Sequence, residues 1–192
     1  FIAEIEIYPM IPLKMNRVLF TLAMLLCAAT LQAQTYADIL IKNGKVIDGT
    51  GNSWYYADVA VKDGKILRIG RNITLPAIKV IDAKGLVVAP GFIDVHGHIE
   101  GGIITQPTAE NYIYDGVTTV ITGNCGSSAG DIRQFFREID SVKTSINVAT
   151  LYGHSTVRGQ VMKRDKRKPT PEEQRTMERM VEQAMKEGAL GL

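Results

Sequence analysis

The sequence predicts an α/β fold in two parts, a small all-β subdomain over 35–89 and parallel strand–helix units over 90–192. Three observations predict it. Short apolar runs punctuated by Asn-Gly, Asp-Gly and Lys-Gly pairs fill residues 36–89. After Pro90-Gly91 the pattern changes to β-branched runs alternating with helical stretches, as in parallel βα units. The first of these runs, Phe92-Ile93-Asp94-Val95-His96, passes into Gly97-His98. Two of the chain's three histidines therefore stand two residues apart at the end of an apolar strand.

The 192 residues suit one domain, or one and a fraction. With 45% hydrophobic and 22% charged residues, the composition is that of a globular protein. A net charge of +2 argues for neither nucleic acid nor an anionic membrane as partner. The basic run Lys163-Arg164-Asp165-Lys166-Arg167-Lys168 is local. It reads as a solvated loop before a helix, with phosphate binding as the alternative.

Residues 1–34 read as an extension followed by a signal peptide. The chain does not begin with Met, and 1–14 look appended. From Met15, Arg17 supplies a positive start, Val18 to Leu31 an apolar stretch, and Ala33 a cleavage point. The stretch is shorter than the roughly 20 residues of a membrane span. Export to the periplasm or the medium is expected, with no membrane attachment after cleavage. Cleavage removes Cys27 and leaves Cys125 alone. A single cysteine makes no internal disulfide, so Cys125 is a buried small residue, a reactive thiol or a metal ligand.

In the β-subdomain, strands are expected at 38–42, 45–48, 57–62, 65–69, 79–82 and 86–88. Hairpin turns are expected at Asn43-Gly44, Asp63-Gly64 and Lys84-Gly85, where positive φ is tolerated. Beyond residue 90, strands are expected at 92–96, 117–122 and 146–152, with helices near 109–114 and 131–139. Ile132, Phe135, Phe136 and Ile139 are spaced as the buried stripe of the second helix. The last helix is the best marked: Thr170 caps it, Pro171 opens it, Glu173 completes a capping box and Gly188 stops it. Met177, Met180, Val181, Ala184 and Met185 form its expected buried face. Ala189 to Leu192 reads as the start of a fourth strand.

Alternate side chains of a strand share a face. His96 and His98 are thus expected to point together, with Asp94 beneath them. Such a pair suits one divalent metal; two surface histidines are the alternative. Cys125 ends the next strand. In a parallel barrel, neighbouring strand ends adjoin on one face, and imidazole with thiolate suits zinc. His96, His98 and Cys125 are the candidate metal ligands.

The run Ala89-Pro90-Gly91-Phe92-Ile93-Asp94-Val95-His96-Gly97-His98 after a small β-subdomain resembles the amidohydrolase superfamily. Gly116-Val117-Thr118-Thr119-Val120, Gly123-Asn124-Cys125-Gly126, Gly153-His154-Ser155-Thr156-Val157-Arg158 and Glu187-Gly188-Ala189-Leu190-Gly191-Leu192 narrow this resemblance. Together they are similar to the N-acyl-D-amino-acid deacylases (D-aminoacylases) over about residues 36–192. The resemblance implies a TIM-type (β/α)8 barrel with a β-sandwich subdomain. Residues 90–192 would supply its first three units, so the chain reads as a truncated N-terminal portion. The implied reaction is metal-dependent hydrolysis of a small N-acyl-D-amino acid to a D-amino acid and a carboxylate.

The resemblance also implies one or two zinc ions, and it puts the family's early ligands on His96, His98 and Cys125. The family's HxH is often followed by an acidic residue; here Ile99-Glu100 follows. His154 is a candidate substrate contact, with a structural imidazole as the alternative. Arg158 is a candidate fork for a substrate carboxylate, with a surface ion pair as the alternative. The family's remaining ligands and its general-base aspartate belong to later strands. The base is therefore expected beyond residue 192, and the fragment is expected to be inactive. The competing readings are another amidohydrolase, dihydroorotase-like or isoaspartyl-dipeptidase-like, and a non-catalytic product, either of a decayed gene or a secreted binding fragment. Those relatives use a carboxylated lysine where this chain offers Cys125.

Overall fold

The computed structural model describes residues 35–192; the expected leader and Cys27 lie outside the described residues. The described residues divide into two compact units, 35–88 and Ala89–Leu192.

The described part of the first unit is one mixed sheet of β1 (Ala37–Val46), β2 (Tyr55–Lys62), β3 (Lys65–Gly70), β4 (Ala77–Asp82) and β5 (Val87–Val88). The strand order is β3-β2-β1-β4, with β5 also on β1. Asp63-Gly64 makes the expected two-residue hairpin. Lys62 pairs with Lys65, and φ is +50° and +69° at the two turn residues. Such turns match the right-handed twist of the strands they join.

The other two expected hairpins are not formed. Asn43-Gly44 lies inside β1, where Lys42 and Asn43 oppose the single residue Asp58 in a bulge. Asn43 keeps the positive φ (+64°) that makes such a pair a turn signal. The buried Asp58 carboxylate explains the difference. It accepts the backbone N–H of Asn43, the donor the bulge releases, and that of Ile73 in the loop after β3, both at 2.9 Å. Around Lys84-Gly85 the chain makes a jog rather than a reversal, because β4 and β5 both run parallel to β1. Ala37, Leu40, Ala60 and Ile73 form one apolar cluster of the unit, and Val46, Ala57 and Val59 another.

The second unit is built on three parallel strands in the order β6-β7-β8, with β6 at Phe92–Asp94, β7 at Val117–Thr122 and β8 at Asn147–Thr150. Helices α1 (Gly102–Thr105) and α2 (Glu110–Tyr114) join β6 to β7, and α3 (Ile132–Val142) joins β7 to β8. Asp131 caps α3 by accepting the Gln134 N–H at 2.7 Å. Ile132, Phe135 and Ile139 are its buried side. Phe135 and Ile139 pack with Val120 of β7 and with Ile99, Ile103, Ala109 and Ile146.

A helix the sequence did not announce, α4 (His154–Met162), follows β8. No side chain caps it, and Gly159 interrupts its apolar spacing, so neither a start nor a period was visible. α5 (Pro171–Lys186) forms as expected, with both capping-box hydrogen bonds present. Its Met177 and Ala184 are buried against Ile132, Tyr152, Val157 and Met162. Met180 and Val181 are half-buried, whereas Met185 is exposed, a correction at the margin of the expected face. After Gly188, Leu190 N–H donates to Thr150 O at 2.9 Å and Tyr152 N–H to Gly191 O at 2.8 Å. No strand forms at 189–192, but these two hydrogen bonds hold the segment alongside the end of β8.

Candidate metal centre

β6 ends earlier than expected. The Asp94 carboxylate accepts the His96 backbone N–H at 3.0 Å, a local turn that bends the chain out of the strand. His96 and His98 therefore sit on the following loop rather than on alternate strand positions. Their rings still approach, with centroids 5.4 Å apart and an interplanar angle of 67°.

Pinning of the loop to β7 places them there. Gly97 N–H donates to Ile121 O at 2.9 Å, and Ile99 N–H to Thr122 Oγ1 at 3.4 Å. The Asn124 amide donates to Gly97 O at 3.3 Å and to Ile121 O at 2.9 Å. Glu100 accepts the Gly123 N–H at 3.0 Å. The residue between the histidines has to be small, because a Cβ on Gly97 would stand 2.3 Å from Val120 Cγ1.

Cys125 follows β7 in a left-handed conformation, φ +56°, with Gly123 at +82° and Gly126 at +77°. A non-glycine residue there carries strain on the order of 1–2 kcal/mol, which the surroundings must hold in place. The start of α4 provides the hold. Gly126 O accepts the N–H of Ser155 at 2.7 Å and of Thr156 at 3.1 Å. Ser128 Oγ accepts the Gly153 N–H at 2.9 Å, and Thr156 Oγ1 the Ser128 N–H at 2.9 Å. Gly153 lies so close that a Cβ on it would fall 2.4 Å from Gly126 O. The cysteine loop is gripped from both neighbouring strand ends.

The result is a cluster of three exposed side chains. His96 Nε2 lies 3.3 Å from Cys125 Sγ, and one donor atom each of His96, His98 and Cys125 lies within 4.8 Å of the others. Around a tetrahedral zinc, with its usual bond lengths, nitrogen and sulfur donors stand about 3.5 Å apart. The donor set and its spacing fit that ion, and exposure leaves room for further ligands.

The other expected site residues fall differently. His154 is exposed at the first position of α4 and does not belong to the three-donor cluster. Arg158 is half-buried and donates through Nη2 to the carbonyls of Asp165 (2.9 Å) and Arg167 (2.7 Å). That is neither an ion pair nor a free fork, and the geometry lends no support to a substrate contact. Asn124 and Glu100 were not singled out as site residues. The available signal was a polar pair beside the ligands, at the start of Asn-Cys-Gly and the end of His-Ile-Glu. Beside His98 opens a cavity of about 240 Å³, lined also by Ile99, Ile103, Gln106 and Tyr112. Burial, and then the charge of Asp94, raise the pKa of the Tyr112 hydroxyl above its ordinary value.

Comparison with known proteins agrees with this geometry. The N-acyl-D-glutamate deacylase of Alcaligenes xylosoxydans xylosoxydans is 35% identical over 180 residues, 82% of this chain and 37% of the relative. The D-aminoacylase of the same organism is 34% identical over 178 residues, 81% of this chain and 37% of the relative. The crystal structure of N-acyl-D-glutamate deacylase from Bordetella bronchiseptica was determined with zinc and a phosphonate inhibitor that mimics the tetrahedral reaction intermediate. It matches with a TM-score of 0.77 at 37% identity, over 82% of this chain and 38% of that one. The chain spans about 37–38% of the length of these relatives. The sequence profile of the amidohydrolase family matches residues 79–192, more than half of the chain. With the strand-end histidines and cysteine inside that span, the chain belongs to the amidohydrolase family and resembles its N-acyl-D-amino-acid deacylases.

Proposed function

We propose that this chain contributes the first zinc-holding side chains of an exported hydrolase that cleaves the amide bond of N-acyl-D-amino acids. The observation that carries the reading is the convergence of His96, His98 and Cys125 at adjacent parallel strand ends. The deacylase relatives supply the substrate class. The run from Arg17 through Leu31 supplies the case for export.

The two imidazoles and the thiolate of His96, His98 and Cys125 would hold the ion. When bound, zinc provides a Lewis acid for the scissile carbonyl and activates water near neutral pH. The chain's own residues supply positioning. Asp94 and Glu100 each direct a carboxylate oxygen to a backbone N–H of the ligand-bearing loops. Both are thereby engaged in fixing the ligands, and we assign neither as the general base. His154, exposed after β8, is the residue we place toward substrate, since strand ends of parallel units face the site.

Two measurements test the reading. Zinc content of the purified chain is expected to be one ion per chain, and much lower in Cys125→Ala. A cobalt-substituted sample is expected to show thiolate-to-metal charge transfer that the variant lacks. A chain that takes up no zinc from buffer sinks the metal assignment. A longer protein that carries this chain together with the later strands, assayed on N-acetyl-D-glutamate and its L enantiomer, is expected to release the free amino acid from the D form, and the 192-residue chain alone to release none. Turnover of neither enantiomer by the longer protein removes the substrate assignment while leaving the metal site standing.

A further inference from the structure

We infer that the basic segment 163–168 and Arg158 form a binding cup for a phosphoryl anion, independent of the metal centre. The sequence suggests a solvated loop here; residues 163–168 are exposed as expected, and the loop is also braced. Arg158 Nη2 donates to the carbonyls of Asp165 and Arg167 from inside the turn. Arg167 engages Glu173 through both terminal nitrogens, at 2.6 and 2.7 Å, and pairs with Asp165 at 2.8 Å. Asp165 also accepts the Arg167 N–H at 3.1 Å, and Asp165 N–H donates to Met162 O at 3.1 Å. The loop leaves α4 through Lys163 at φ +57° and enters α5 through the capping box at Thr170.

This bracing uses up the local carboxylates. Asp165 and Glu173 both bond Arg167. Among the described residues, Lys163, Arg164, Lys166 and Lys168 form no ion pair. Six basic side chains stand against two acidic ones, an excess larger than the +2 of the whole chain. The rest of the molecule is therefore net acidic, and the positive charge is concentrated here. A flexible loop would relax such repulsion by spreading its cations. A braced backbone keeps the cations clustered, and a bound anion would lower their repulsion.

These residues line an open surface depression of about 480 Å³. Apart from Pro169 and the aliphatic stems, its lining is ionic, so recognition there is by charge and not by apolar contact. Ammonium groups and guanidinium forks together suit the several oxygens of a phosphoryl dianion. The phosphoryl group has two sources, a free small anion or a lipid headgroup.

Sodium pyrophosphate titrated calorimetrically into the metal-free 192-residue chain is expected to give saturable one-to-one binding. In Arg164→Glu/Lys166→Glu, which leaves the Arg158, Arg167 and Glu173 bracing intact, affinity is expected to fall about tenfold or more. Arg164→Gln, a milder variant, is expected to show a smaller loss in the same direction. Vesicles of phosphatidylcholine with phosphatidic acid distinguish the sources. Co-sedimentation that pyrophosphate displaces points to a headgroup, and pyrophosphate binding without co-sedimentation to a free anion; both support the cup. Absence of saturable binding, equal affinity in both variants, or co-sedimentation that pyrophosphate does not displace overturns it.

Discussion

The side-chain amide of Asn124 donates to the main-chain carbonyl of Gly97 at 3.3 Å, so the neighbour of one candidate ligand grips the residue between the other two. The same amide reaches Ile121 O at 2.9 Å, in a site where Asn124 itself is buried. Replacing Asn124 with Ala leaves two carbonyls without this donor and frees the histidine loop from the cysteine loop. Zinc affinity is expected to fall about tenfold or more, as for other residues that orient ligands. Competition with a chromophoric chelator measures the affinity, and an altered cobalt spectrum would show that ligand geometry has moved. An unchanged affinity and spectrum would mean that Gly97 and Cys125 hold their places without the amide.

Gly153 meets the carbonyl of Gly126 at a distance that leaves no room for a methyl group. Gly153→Ala is expected to destabilise the chain by about 1–3 kcal/mol through overpacking. It is also expected to weaken metal binding, because the cysteine loop must shift. Urea unfolding of the metal-free protein reads the first effect and zinc titration the second. A variant as stable as the parent would show that the α4 start does not set the loop.

Cys125 holds a backbone conformation that glycine adopts without cost. Without metal, Cys125→Gly is expected to be more stable than Cys125→Ala by about 1 kcal/mol. Both variants lack the sulfur, so only the backbone term separates them. Equal urea midpoints with equal slopes would argue that this turn relaxes once the thiol is gone.

Glu173 carries a pH dependence with a defined sign. Its hydrogen bond with Arg167, aided by the Thr170 N–H, lowers its pKa from 4.5 to about 2 in the folded chain. A lowered carboxyl pKa stabilises the fold fully above the unfolded value. That contribution fades as pH falls from about 4.5 toward 2. Glu173→Gln is expected to flatten this part of the stability–pH curve. Melting temperatures between pH 5 and pH 2 are the measurement, and parallel curves for variant and parent would remove the effect.

How much was legible in the sequence follows from where each signal lies. α5 was readable because cap, proline, apolar spacing and stop glycine are all local. α4 was not, because its start is capped by the Gly126 carbonyl, which belongs to a loop nearly thirty residues earlier. Asn43-Gly44 announced a positive φ correctly. Whether that φ served a hairpin or a bulge was decided by Asp58, fifteen residues on. At the candidate site, His96 and His98 follow from strand alternation and Cys125 from the adjacency of strand ends, and the three donors do converge. The mechanism of their convergence is different: a turn closed by Asp94 and a loop pinned by Ile121, Thr122 and Asn124. Short-range patterns locate the donors, and long-range hydrogen bonds aim them.

The hydrogen bonds that gather the imidazoles and the thiol are made by the polypeptide itself, and they are expected to hold the ligand loops with or without an ion. Stripping with a chelator should therefore leave the near-ultraviolet signature of the molecule unchanged, quite unlike a finger domain that collapses on losing its zinc. Reloading should be limited by encounter with the cation, not by refolding.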